Sequence, residues 1–436
     1  MDGLSDSKVN TIPTTKKTEE EGNLEIDVPS KVKYGQSRPY YPRRCKRSDF
    51  LIKNINSLPD ELVFDIIAQL PAQDIYTAVM NVCLKWYKII HTHTFVNTHL
   101  HRSTCGLLIQ ISVSNHISET YQLTLMALSR QGRIELTRLN YEPKYGIWCN
   151  GCNGLILEWD CKYRSGFFIT NPATMQQLYL PQFPRPMCYV YSALAYASVS
   201  MEYKVVILFL NLNKEDEGCC AILTVGVDES WRPLRTQHLS LESKKKLLTY
   251  NNNKNRLLTT EGFVHWVSRV KFNCILTLNV ETEVITEYSV TPISSRDNMR
   301  IYYYLSGVKY LSLLIEFRGW SWEVWEMKPE TGEWTKLPGI EGNDLTDRKG
   351  EIIRWIGEGD RKFKSSGSSN INLQSVGWLK YKEVMLFDVY SPDMRLAHQF
   401  CFAWNVRTKE IQFIELDSNM YHFLVHRNSL VWLDGC

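Results

Sequence analysis

The sequence has no charge excess of either sign: its formal net charge is only +3 over 436 residues. A whole-protein basic footprint for nucleic acid is therefore not expected. Long apolar runs are also missing. The longest, such as Val205 to Leu210, fall far short of the roughly 20 residues a membrane helix needs, so no membrane partner is expected. The first residues are polar, with no basic start leading into an apolar stretch, so a secretory signal is not expected. No Asn-x-Ser/Thr acceptor occurs. Twelve cysteines in a chain of this length do not make a disulfide scaffold, and they are expected as thiols in the nucleus or cytoplasm. There is no phosphate loop, no Gly-x-Ser-x-Gly and no His-Glu-x-x-His. No catalytic residue, metal ligand or cofactor is nominated.

What is present is an ordinary globular mixture, 44% hydrophobic and 22% charged. The length suggests two or three domains. Thirteen Trp and twenty-three Tyr lean the composition towards β structure. Residues 1–50 read as a disordered arm, polar and without apolar periodicity. The arm holds Arg43, Arg44, Cys45, Lys46 and Arg47. This run reads as a solvated charge cluster, with an import signal or a phosphate-binding arm as the alternative.

Residues 57–99 differ in kind. Leu62, Val63, Ile66, Ile67 and Leu70 recur at helical spacing. Pro59 suits the first turn, Asp60 and Glu61 suit the positive end of the helix dipole, and Pro71 is expected to end the helix. A second stripe follows through Ile75, Ala78, Val79, Val82, Cys83, Trp86, Ile89 and Ile90. Some forty helical residues cannot bury all of this among themselves. The surplus implies a partner surface or packing on the rest of the chain.

From Gly106 onward the pattern changes to short apolar strands bounded by Gly, Asn, Asp or Pro, Leu155–Trp159 and Val384–Val389 among them. Four times a strand runs into a turn with Thr at its fourth position. These turns are 171–174, 279–282, 328–331 and 405–408, three beginning with Asn and one with Lys. Asn at the first position can accept from the backbone two residues on, and Pro presets φ at the second. The closest two turns lie 49 residues apart, a blade-sized interval for a kelch-like propeller. The other intervals require insertions or degenerate blades, or else the turns are unrelated hairpins.

Leu58-Pro59-Asp60-Glu61-Leu62-Val63, with Ile66-Ile67 and Leu70-Pro71, resembles the opening of an F-box. Asp74-Ile75, Val82-Cys83-Leu84-Lys85-Trp86 and Phe95 to His99 resemble its second half. Leu84 stands where the family usually has a basic residue, and Tyr76 where an aliphatic one is common. The remainder resembles the associated β domain of the large plant F-box family. That likeness rests on Cys152-Asn153-Gly154-Leu155-Ile156, Asn171-Pro172-Ala173-Thr174, Leu180-Pro181, Glu261 to Trp266 and Val324-Trp325-Glu326-Met327. Residues 233–256 and 339–370 fit poorly and are expected as long loops.

The expected fold class is α+β: a small N-terminal helical F-box at 57–99, then a mainly antiparallel, propeller-like β domain at 105–436. The resemblance implies a substrate-recognition subunit of an SCF-type cullin ubiquitin ligase. Its partners would be a Skp-type adaptor, through it a cullin, and a protein target. Adaptor docking is expected on Leu58, Pro59, Leu62, Ile66, Leu70, Pro71, Ile75, Val82, Cys83 and Trp86. Target capture is expected on loops of the β domain, with Arg318 and Trp320 as candidates. The alternative is a scaffold or regulatory F-box protein acting outside a ligase.

Rival chemistry rests on weaker patterns. Cys149-Asn150-Gly151-Cys152, read as a turn between strands, lacks a second pair for zinc and a strand–helix context for redox work. His91, His93, His99 and His101 cluster, but they read as a polar helix end without a carboxylate partner. Glu383 and Asp388 read as solvated acids.

Overall fold

The computed structural model describes residues 58–115, 118–129, 131–141, 146–160, 166–183, 188–210, 218–241, 243–244, 255–268, 274–290, 301–306, 309–317, 321–338, 344–359, 371–390, 399–416 and 421–433. Pro59–Cys436 form one compact unit.

Four short helices open it: α1 (Asp60–Ile67), α2 (Ala72–Thr77), α3 (Leu84–Ile90) and α4 (His93–Arg102), with a single 3₁₀ turn at Val79–Asn81. Pro59 caps α1 rather than lying in its first turn, and Val63 N–H donates to its carbonyl at 3.1 Å. α1 ends at Ile67, earlier than Pro71 requires. Gln69 and Leu70 N–H instead bond the carbonyls of Ile66 and Ile67, and Pro71 caps α2. Phe64 and Phe95 meet edge to face at 5.1 Å across the centre of this module.

α4 leads almost directly into the first of six four-stranded antiparallel sheets. The first holds β1 (Cys105–Asn115), β2 (Ser118–Leu128) and β3 (Ile134–Arg138). The second is β4 (Gly146–Cys152), β5 (Leu155–Asp160), β6 (Phe167–Asn171) and β7 (Gln176–Tyr179). The third is β8 (Cys188–Ala197), β9 (Glu202–Leu210), β10 (Gly218–Thr224) and β11 (Arg232–Pro233). The fourth is β12 (Asn255–Thr260), β13 (Phe263–Ser268), β14 (Cys274–Asn279) and β15 (Val284–Ser289). The fifth is β16 (Ile301–Ser306), β17 (Leu311–Phe317), β18 (Ser321–Met327) and β19 (Trp334–Lys336). The sixth is β20 (Asn372–Lys380), β21 (Val384–Tyr390), β22 (Gln399–Asn405) and β23 (Ile411–Leu416). The last strand, β24 (Tyr421–Arg427), returns to pair antiparallel with β1, from Cys105↔Arg427 to Ile111↔Tyr421. The architecture is a six-bladed propeller closed by its last strand.

The core lies in the seams between blades. Leu107 and Ile109 meet Leu386 and Cys401 between blades one and six, while Val206 and Ile222 meet Leu276 and Leu278 between blades three and four. A middle strand is covered on both faces, so every residue of β6 is buried. This is why such strands read as apolar runs rather than as alternating patterns. The outer strand β3 has only its first residue half-buried and the rest exposed, and its sequence is accordingly polar.

The four Thr-containing turns occupy one structural position: each joins the third strand of its blade to the fourth, in blades two, four, five and six. Asn171, Asn279 and Asn405 accept, through Oδ1, the N–H of the residue two positions on, each at 2.9 Å. The 49-residue interval separates adjacent blades. The longer ones arise because blade three turns differently, with Asp228 accepting the Thr224 N–H, and because helices precede blade six. Those helices, α5 (Asp344–Asp347) and α6 (Lys349–Gly359), lie in the stretch expected as a loop. Ile352 and Ile356, one turn apart, are fully buried against blades five and six, and Trp355 stacks on Phe413 at 4.5 Å.

Candidate docking surface

α1 divides its apolar residues between two faces. Val63 and Ile67 are buried, whereas Leu62 and Ile66 stand 51% and 52% exposed, and Leu70, four residues on in the turn after α1, 36%. Packing inward has already been satisfied by one stripe, and a second points to solvent. Val82, Leu84 and Tyr87, around the start of α3, are also exposed. Leu84, the departure from the family pattern, is the most exposed of them. Pro59 and Pro71 are exposed, and Leu58, Cys83 and Trp86 are half-buried. Ile75 is different: it is fully buried and contributes no surface, holding α2 from within. Periodicity alone could not separate the two faces there, because α2 is only six residues long.

Ion pairs and a buried histidine brace this surface. Lys85 pairs with Asp60, and Arg102 with Asp65 at 3.2 Å, tying α3 and α4 to α1. Both pairs are solvent-screened and add little energy; their role is geometric. His99 is buried, and its Nε2 lies 3.0 Å from the Leu70 carbonyl. Burial holds its basicity below the ordinary histidine range. The neighbouring histidines turn elsewhere: His91 Nδ1 contacts the Tyr87 carbonyl and His101 Nδ1 the Asn97 carbonyl. The clustered imidazoles share no centre, and among the described residues no three His, Cys, Asp or Glu converge as metal ligands would.

The Cys-x-x-Cys lies along strand β4, not in a turn; the turn comes next, at Asn153-Gly154. Burial pushes the Cys152 thiol up to about 12, the reverse of an activated thiolate. Glu383 pairs with Lys380 at its turn, and Asp388 lies beside the buried Cys401 thiol. Arg318 and Trp320, the candidates for target capture, lie outside the described residues. No helix among the described residues is long and apolar enough to cross a membrane.

One contact with the helical module had no sequence signal. The segment after β24 turns back across blade two and reaches the helices. Trp432 stacks on His91 and lies 6.1 Å from Tyr76, the other departure from the family pattern.

Two family models match the chain: an F-box-like domain at residues 55–102 and an F-box associated beta propeller domain at residues 104–317. The second match ends at the last residue of β17, and the propeller continues beyond it. No curated protein matches. Among solved structures, the chain is similar to a post-proline cleaving enzyme from Rickettsia typhi (TM-score 0.32, 11% identity, 72% of this chain and 45% of that one). It is also similar to a periplasmic gluconolactonase from Pseudomonas aeruginosa (TM-score 0.32, 10% identity, 73% and 99%) and to the Dos1 propeller (TM-score 0.28, 12% identity, 73% and 70%). The chain thus spans less than half the length of the first of these. Likeness at such scores carries no argument about activity. Domains of the two matched kinds are typically non-enzymatic adaptors, and F-box domains generally bind Skp-type adaptors. With these two domains in this order, the chain is an F-box protein with an F-box-associated β domain.

Proposed function

We propose that the chain is the substrate-recognition subunit of an SCF-type cullin ubiquitin ligase. The observation that carries this reading is the exposed apolar stripe of Leu62, Ile66 and Leu70 on a module whose interior is already filled by Val63, Ile67, Ile75 and Phe95. Apolar side chains arrayed at one-turn spacing on a helix are the anchors of a helix-packing interface, whose affinity comes mostly from area removed from water. The Skp-type adaptor covers this stripe, and the cullin follows through the adaptor. The propeller holds a protein target. The chain itself performs no step of ubiquitin transfer; its contribution is proximity, raising the local concentration of target lysines at the conjugating enzyme.

The test is capture of the full chain from cells with the proteasome inhibited. The reading expects adaptor and cullin together with a target that carries ubiquitin. Adaptor without cullin would instead make the protein a scaffold acting outside a ligase.

A further inference from the structure

The six residues after β24 make two sets of contacts. One set faces the propeller. The Asn171 side-chain amide donates to the carbonyl oxygens of Ser429 at 3.2 Å and Val431 at 2.7 Å. Ser429 Oγ donates to the Asn153 carbonyl, and the Leu433 N–H to Gln176 Oε1 at 3.1 Å. Gly154 lies so close beneath that a side chain there would collide with Ser429 and the Arg427 carbonyl. Val431 and Leu433 are buried in the seam between blades two and three.

The other set faces the helices. Between those two buried residues, half-buried Trp432 turns outward. Its ring stacks on His91 with centroids 4.3 Å apart and 15° between planes. His91 in turn stacks on Tyr87 at 4.0 Å, and Tyr87 belongs to the exposed apolar surface of α3. Val96 of α4 packs on the seam that holds Val431 and Leu433, and Arg427 donates to the Leu100 carbonyl at 3.4 Å. The segment therefore lies directly after the strand that closes the ring, is bonded to the next blade, and carries a ring against the docking module.

We propose that residues 428–433 are a strap that joins ring closure to the placement of the helical module, with Trp432 as the positioning residue for the docking surface. Without the Trp432–His91–Tyr87 stack, the module keeps its short α4–β1 connection and contacts such as those of Arg427 and Val96, but loses its aromatic anchor. Its angle to the propeller then varies. The strap itself rests on the contacts above; its consequence for ubiquitin transfer rests on the ligase reading.

The test uses the full chain with Trp432→Ala and, separately, His91→Ala, which leaves the bonds of the strap to blade two untouched. Amide hydrogen exchange is followed by mass spectrometry. In each variant, exchange across residues 72–91 should rise by about tenfold, as loss of one aromatic contact at a local opening predicts, with the propeller strands unchanged. Trp432→Phe should restore most of the protection. Both alanine variants should still capture the adaptor yet pass less ubiquitin to a captured target. Unchanged exchange at 72–91 in both variants, or a rise spread evenly over the propeller strands, overturns the proposal. Should exchange rise as expected while the wild-type chain transfers no ubiquitin in the same assay, the strap stands and the ligase reading falls.

Discussion

Asn171 bonds both its own turn and the far end of the chain: Oδ1 accepts the Ala173 N–H at 2.9 Å, while Nδ2 donates to the Val431 carbonyl at 2.7 Å. Asn405 accepts the Arg407 N–H in the same way in blade six, and the Thr408 N–H besides, but it lies only half-buried and, among the described residues, bonds no returning segment. The pair therefore separates the worth of the turn from the worth of the strap. Asn405→Ala should cost about 1 kcal/mol, the net value of an ordinary side-chain hydrogen bond. Asn171→Ala, at a fully buried site that leaves two carbonyls unpaired, should cost about 2–4 kcal/mol. Urea denaturation of both variants checks this; equal losses would mean the strap bonds contribute nothing.

Leu62 and Ile66 are half exposed, so their replacement by aspartate should leave folding almost intact. The double variant Leu62→Asp/Ile66→Asp should keep its thermal transition within a few degrees and lose adaptor affinity by about 100-fold or more. That loss follows from about 1.5–3 kcal/mol per aliphatic no longer buried in the complex, plus charge left against an apolar partner. Ile75→Asp should act differently: its side chain is wholly internal, so the module unfolds before binding can be judged. Quantitative adaptor titration alongside thermal scans separates the two cases. Full retention of affinity in the folded double variant would remove the docking assignment.

Glu158 and His265 give the propeller opposite pH slopes. Burial pushes the Glu158 carboxyl up to about 7, with hydrogen bonds from Thr170 and Tyr141 working the other way. Below about pH 4.5 the group is neutral folded and unfolded, and it contributes nothing. As pH rises to 7, the unfolded chain releases its proton first and stability falls, by about 3 kcal/mol at most. Glu158→Gln keeps an acceptor for Tyr141 and removes this loss, so it should stabilise the protein at pH 8 and not at pH 4.5. His265, buried between Thr260 and Thr277, is pushed down to about 3 by burial. Its contribution is present above 6.5 and is lost as pH falls from 6.5 to 3. Denaturation midpoints across this range test both signs. An effect of Glu158→Gln that is the same at pH 4.5 and 8 contradicts the assignment.

Local chemistry was legible in the sequence where it repeats at short range. The Asn-x-x-Thr turns mark the same hairpin in three blades because an Asn side chain bonds two residues ahead whatever lies around it. The pair Leu62 and Ile66 was visible because four-residue spacing survives within one helix, and Leu70 continues the interval in the turn just beyond it. The Trp432–His91 contact was not, since nothing periodic links positions so far apart. Cys149 to Cys152 looked like a turn because Asn and Gly are turn formers. The inner strand β4 instead absorbs them, with an irregular register between Trp148 and Asn150. Helix α6 carried a readable signal in Ile352, Trp355 and Ile356, masked by polar flanks on both sides.

The repeated turns also share a strained position. The residue after each Thr has positive φ: 55° at Met175, 56° at Glu283, 73° at Gly332 and 64° at Lys409. Only glycine adopts this conformation without a steric cost from Cβ, which is roughly 1 kcal/mol elsewhere. Met175 is 45% exposed, so little packing is lost on truncating it. Met175→Gly should therefore be neutral or stabilise the protein slightly, by at most about 0.5 kcal/mol, after the added freedom of the unfolded chain is allowed for. Gly332 is the converse case. A Cβ there would run into the Tyr288 ring of the neighbouring blade. That ring cannot swing aside freely, because its hydroxyl donates to the Glu330 carbonyl at 3.0 Å in the same turn. Gly332→Ala should cost about 1–3 kcal/mol, combining backbone strain with a displaced aromatic contact. Adding Tyr288→Ala should recover the steric share but not the strain, so the second substitution should cost less in the Gly332→Ala background than in the wild type. Thermal denaturation of the four proteins decides it: additive losses would show that Tyr288 yields without cost and that φ alone fixes the glycine.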